Sequence, residues 1–321
     1  MIKISKNDTV CLKGIMAILV LIHNIYQVSG IFHESILAAV FQDLGYVAVA
    51  VFFFLSGYGL SISYRQKKDV YMREFLRNRI LVLYCNVLFL IALYTVFELV
   101  LGNVVVWQVL LTSLTYGETV IRLGWYLQAS LILYLAFYFI FRTQKSDIWK
   151  YNMMLGVVLV YIVICILLQF SPTRYITIIA FNLGMFWDFK ADIIAKSFRK
   201  KIAFKYVFLA VIFGALFLVS HLLETYVLKK ILGMLFSLCF VVLTVLTVQF
   251  VKIDCKATRF LGKISMEIYV SQGLFLVLFH EDICYIANPY IYVILVTTCT
   301  FLFSVGLNQI FTQMAKRIKG N

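Results

Sequence analysis

Apolar residues run along this chain in long blocks with short polar breaks between them. A helix needs about 20 mostly apolar residues to cross a bilayer, and ten blocks approach or reach that length. They cover 12–29, 44–63, 80–101, 123–141, 153–170, 174–189, 203–222, 229–250, 264–279 and 289–313. None shows the alternation of apolar and polar positions that marks a half-buried strand. The pattern predicts an all-α, polytopic transmembrane bundle of about ten spans. The segment 104–114 is apolar but too short to cross, so it is expected to be interfacial or re-entrant.

The first block carries an ionisable group in its interior. Met16, Val20, His23 and Gln27 share one helical face by their three- and four-residue spacing. Lys13 stands at the entrance, about 15 Å from His23 at the helical rise. If Lys13 marks one membrane surface, His23 lies near the midplane. An imidazole at that depth is costly and normally faces a bundle interior or a wet cavity, which makes it a candidate functional group. The competing reading is a neutral histidine hydrogen-bonded to a neighbouring helix.

Composition agrees with the block pattern. The chain is 63% hydrophobic and 14% charged, with a mean hydropathy of +0.95. No water-soluble fold of 321 residues hides that much apolar surface. Spans from end to end predict one membrane-embedded domain over 1–321, with no extracytoplasmic esterase domain. The first block is too long, and lacks the small-residue site, for a removable signal peptide. The seven cysteines are scattered, which suits buried thiols better than a disulfide framework, and no metal site is expected.

The net charge of +14 would suggest a nucleic-acid partner in a soluble protein. Its distribution gives a topology instead. All but four of the 29 basic residues fall on one side of the ten spans, the four being Arg122, Arg174, Lys229 and Lys230. By the positive-inside rule both termini are cytoplasmic. Some of the inner charge is expected to meet anionic lipid headgroups, and no nucleic-acid partner is expected.

The second block leaves the membrane through Phe-Leu-Ser-Gly-Tyr-Gly into a basic loop holding Arg65, Lys67, Lys68, Arg73, Arg77 and Arg79. This is either an ordinary basic collar or an anion site. Guanidinium forks at a helix entrance match phosphate oxygens.

Several features occur in a fixed order: Lys13-Gly14 and His23 in span one, Phe52-Phe53-Phe54-Leu55-Ser56-Gly57-Tyr58 in span two, and Lys68 and Arg79 flanking ten residues. Trp125-Tyr126-Leu127 opens span four, and Leu261-Gly262-Lys263-Ile264-Ser265 leads to Gln272 in span nine. Together they resemble the acyltransferase-3 family of integral membrane acyltransferases. The resemblance covers essentially the whole chain.

It implies transfer of an acyl group, often acetyl, from cytoplasmic acyl-CoA to a hydroxyl of a surface glycan or lipid-linked sugar, at the plasma membrane. His23 matches the family's essential histidine, Lys13 its basic residue near the start of span one, and Lys68 and Arg79 its inner basic pair, with Arg77 nearby. Trp125 and Tyr126 either line an acceptor or acyl passage or form an interfacial aromatic belt. Gln272 stands where many members carry a second histidine. Glutamine positions a group but does not shuttle a proton, which leaves more of the chemistry to His23. A transporter or flippase for a lipid or glycan, without covalent chemistry, is the alternative reading.

Overall fold

The computed structural model describes residues 4–35, 37–105, 107–108, 113, 120–199, 201–280 and 284–320, and among the described residues there is no strand. The predicted segment 104–114 lies mostly outside them. Helix α1 spans Lys6–Ser29, and the Ser5 hydroxyl and Asp8 form a capping box at its start. Helix α2 spans Ala38–Phe75 and is broken at Lys68, whose φ is +41°. A π-helical turn, Leu76–Leu81, leads into α3, Val82–Val100.

The chain continues through α4 (Trp125–Phe141), α5 (Asp147–Leu167), α6 (Thr173–Ile176) and α7 (Ile179–Phe189). Helices α8 (Ala191–Arg199), α9 (Ile202–Leu222), α10 (Tyr226–Thr247), α11 (Lys256–Lys263), α12 (Ser265–Leu278) and α13 (Pro289–Lys319) follow. The last begins with Asn288 accepting from the amides of Tyr290 and Ile291, with Pro289 in the first turn. It ends on Lys316, Arg317 and Lys319, charges that suit a helix C-terminus.

Among the described residues, six helical stretches are long and apolar enough to cross a membrane, or seven when the bent pair α11–α12 counts as one span. One of the six is the composite Ala38–Val100, which contains both the break at Lys68 and the π turn. The expected ten therefore includes shorter and broken pieces. Helix α4 has 17 residues, the block 174–189 is split into α6 and α7, and α11 meets α12 at 67°.

Helix α2 is the centre of the bundle. From Val47 to Leu55 every side chain is buried, so this stretch is enclosed on all sides. That places Phe52, Phe53 and Phe54 in the core. Helix α7 lies against it so closely that only glycine fits. A methyl on Gly57 would come within 2.1 Å of the Phe181 carbonyl oxygen, and one on Gly184 within 2.1 Å of that of Phe54. The Ser-Gly-Tyr-Gly segment thus has a packing reason as well as a polar one. Helix α1 runs antiparallel along another side of α2: His23 meets Phe41 and Gly45 at one end, and the Ile4 amide meets the Tyr58 hydroxyl at the other. By contrast, α9 buries only Ser220 and forms an outer edge.

Candidate functional site

The ring of His23 is seated on glycine. A methyl built on Gly45 would lie 2.2 Å from Cδ2, 2.6 Å from Cγ and 2.7 Å from Nε2 of the imidazole. The ring therefore rests directly on the α2 backbone. Its Nδ1 is 2.9 Å from the carbonyl oxygen of Phe41. A carbonyl only accepts, so in the neutral ring Nδ1 carries the proton and Nε2 keeps its lone pair. The side chain is half-buried. One turn further along, Gln27 bonds Gln42 at 2.7 Å, and both are exposed. His23 is six residues, or about 9 Å, from the end of α1 at Ser29. It thus sits nearer the exposed Gln27–Gln42 end than the cationic end.

At the opposite end of the α1–α2 pair lies a cavity of about 940 Å³. Lys6, Thr9 and Lys13 of α1 line one wall, and Ser56, Tyr58, Gly59, Ser63 and Arg65 of α2 another. Arg79 from the π turn, Tyr134 from α4, and Trp187 and Asp188 from α7 complete it, with Asp192 from α8 at its edge. Three spacings explain this gathering. Lys6, Thr9 and Lys13 recur every three to four residues, as do Ser56, Gly59 and Ser63. Tyr134 follows Tyr126 by two helical turns.

Charge inside the cavity is unequal. Asp188 is already neutralised: Arg65 Nη1 donates to its Oδ1 at 3.2 Å and to its main-chain oxygen at 2.6 Å, and the Ser61 hydroxyl donates to Oδ2 at 2.7 Å. Lys13 and Arg79 lie close enough for their charges to repel. Among the described residues neither forms an ion pair. Arg79 has the Tyr71 hydroxyl as a polar partner; two cations in one cavity, neither in an ion pair among the described residues, suit a ligand with phosphate or carboxylate oxygens.

The structure thus brings Lys13 and Arg79 into one cavity. It leaves Lys68 and Arg77 exposed and outside that lining. Lys68 occupies the break of α2, and the π turn follows, so the ten-residue spacing of Lys68 and Arg79 does not make them neighbours on a helical face. Trp125 and Tyr126 open α4 inside the bundle. Tyr126 packs on Phe53 at 4.8 Å and Tyr269 at 5.5 Å between ring centres, and its hydroxyl is 3.3 Å from that of Ser56. Trp125 packs on Phe53 at 6.2 Å. Gln272 is fully buried in α12. Its amide donates to the Tyr269 carbonyl at 3.0 Å, and its Oε1 has no hydrogen-bond partner among the described residues. Neither Gln272 nor His23 lines the cavity.

Of the lining residues, Lys13 and Arg79 were site residues from the sequence and Arg65 only a member of the basic loop; Tyr134 and Asp188 are among those not singled out. The available signals were a carboxylate inside an apolar block and the two-turn repeat from Tyr126 to Tyr134. Among the described residues no cluster of histidine, cysteine and carboxylate side chains could hold a metal ion.

A family model described as an acyltransferase domain, of the acyltransferase-3 type, matches residues 11–309. No match was found among curated proteins or among solved structures. The matched range takes in His23, Phe41 and Gly45, and of the cavity lining everything but Ile4, Lys6, Thr9 and Val10, and the chain belongs to the acyltransferase-3 family of membrane acyltransferases.

Proposed function

We propose that the protein moves an acetyl or other short acyl group from cytoplasmic acyl-CoA to a hydroxyl of a surface glycan or lipid-linked sugar, at the plasma membrane and with both termini inside. The observation that carries this reading is the pair Lys13 and Arg79, two cations in one cavity at the basic end of the bundle that form no ion pair among the described residues. They hold the donor's phosphates, with Lys6 beside them. Lys68 and Arg77, outside the lining, add only long-range attraction for an anion.

His23 is the general base. The Phe41 carbonyl fixes the Nδ1–H tautomer, so Nε2 takes the proton from the acceptor hydroxyl as its oxygen bonds to the thioester carbonyl carbon. The carbon–sulfur bond then breaks, and the imidazolium returns its proton to the departing thiolate. On this reading the acyl group passes beside Tyr126 and Trp125 when it moves from the cavity to the imidazole. The open acceptor on Gln272 Oε1 is available to a substrate hydroxyl that reaches it. An acceptor enters from the exposed end, past Gln27 and Gln42.

The test is mass spectrometry of surface glycans from cells carrying the native gene, a deletion, or His23→Ala. The expected result is loss of one acyl mass from a defined sugar in both altered strains, with His23→Ala protein present in the membrane at native level. A folded His23→Ala protein that still acylates would overturn the assignment of the base. Unchanged acylation on deletion, with altered export of a lipid or glycan, would favour a transporter.

A further inference from the structure

The cavity and His23 lie on the same stripe of α2, yet they do not communicate. At about 100° per residue, Gly45, Val49, Phe52, Ser56 and Gly59 keep to one side of the helix. Gly45 carries the imidazole, while Ser56 and Gly59 line the cavity. The eleven residues from Gly45 to Ser56 span about 16 Å. Val49 and Phe52 fill that interval on α2, and Met16 and Val20 fill it on α1. All four are buried in one continuous core. The two valines are β-branched and stiff in a helix. Phe52 is the bulkiest of the four and stands one turn above Ser56. Its ring leans on Tyr126 at 5.9 Å, whose hydroxyl reaches Ser56 itself.

We propose that Phe52, backed by Tyr126, is the stopper between the cationic cavity and His23, and that its ring limits the length of the acyl group that passes. The proposal rests on the acyl-CoA reading above. Phe52 is a specificity residue: it touches neither the proton nor the donor's phosphates, and acts by occupying the path. A short acyl group passes when the ring turns aside. Each added methylene must displace more of the packed wall formed by Val49, Val20 and Met16.

Two measurements on the full-length protein test it. Val49→Cys places a thiol beyond the stopper, and a small methanethiosulfonate is applied from the cytoplasmic face of inside-out vesicles. Labelling is read on the peptide holding residue 49, because the chain has seven cysteines of its own. Closed cores open only by local unfolding, so labelling should be slow with Phe52 present and on the order of tenfold faster in Phe52→Ala. Phe52→Leu serves if the alanine protein does not fold. Fast labelling with Phe52 in place, or no acceleration without it, would overturn the proposal.

The second measurement is binding of butyryl-CoA relative to acetyl-CoA. A single methylene against a pocket wall is worth roughly 10- to 200-fold. The butyryl-to-acetyl ratio should therefore rise at least about tenfold in Phe52→Ala and fall in Phe52→Trp. An unchanged ratio would refute the length limit. If CoA itself does not bind the native protein, the donor reading fails, whereas the labelling result still decides whether Phe52 closes the path.

Discussion

Alanine at Gly45 separates the placement of the imidazole from the stability of the fold. The added methyl would lie 2.2 Å from His23 Cδ2 and 2.7 Å from Nε2. Ordinary contacts between carbon atoms are about 3.5–4.0 Å, so the ring must retreat by more than about 1 Å. The helices do not take up that movement, because Met16, Ala17 and Val20 of α1 and Val49 to Phe52 of α2 are locked in the core. The half-buried ring swings instead. A displacement of that size breaks the 2.9 Å bond from Nδ1 to the Phe41 carbonyl, and with it both the orientation of the ring and the tautomer that keeps Nε2 basic.

Misplacing a catalytic group by 1 Å costs about 10²-fold in rate. The effect on stability is small, for two reasons of opposite sign. Overpacking costs about 1–3 kcal/mol when a core cannot yield, and here the contact is a side chain with room to move. Removing a mid-helix glycine returns about 0.5–1 kcal/mol. If His23 is the base proposed above, the expected result is a loss of about 100-fold in the proposed acyl transfer to surface glycans, followed over time by mass spectrometry. The midpoint of thermal unfolding of the purified protein should stay within a few degrees of native. Native transfer by Gly45→Ala beside an inactive His23→Ala would refute the claim that Gly45 sets the working position of the ring. Native transfer by both would remove His23 from the chemistry.

On the proposed acyl-CoA reading, replacing Lys13 or Arg79 by glutamine removes one charged partner of the donor's phosphates, an interaction worth about 1.5–3 kcal/mol. Each variant should weaken CoA binding by about 10- to 150-fold and flatten its salt dependence, as measured by calorimetry on the protein in nanodiscs. Lys68→Ala and Arg77→Ala, outside the cavity lining, should change the same affinity by less than about threefold. Gly184→Ala drives a methyl into backbone, 2.1 Å from the Phe54 carbonyl oxygen. It should destabilise the α2–α7 contact by about 1–3 kcal/mol or more, seen as a lower unfolding midpoint whether or not CoA is added.

The apolar blocks made the membrane class and the helical architecture legible, because a backbone in lipid must satisfy its own hydrogen bonds and the helix does so within one segment. Block length was a weaker guide to crossings. Nothing in the hydropathy of 174–189 marks the interruption between Ile176 and Ile179 that divides it into α6 and α7. His23 and Lys13 stood out because each is a polar group in an apolar helix. The seat of His23 did not, because Gly45 is twenty-two residues away in the chain and acquires its meaning only from the antiparallel contact of α1 with α2.

The same distinction explains the basic loop. Spacing along a chain fixes geometry only while the chain keeps one period. Between Lys68 and Arg79 the backbone leaves the helix at Lys68 and then passes through six residues of π helix, and each departure rotates everything that follows. Arg79 lines the cavity together with Lys13, while Lys68 and Arg77 stand outside that lining. Arg65, nearer the core than any of them in sequence, is taken by Asp188. Of the six cations in that loop, the one that lines the cavity beside Lys13 without an ion pair among the described residues is therefore selected by two things that a count of positive charges omits: where the helix breaks, and which carboxylate an opposing helix delivers.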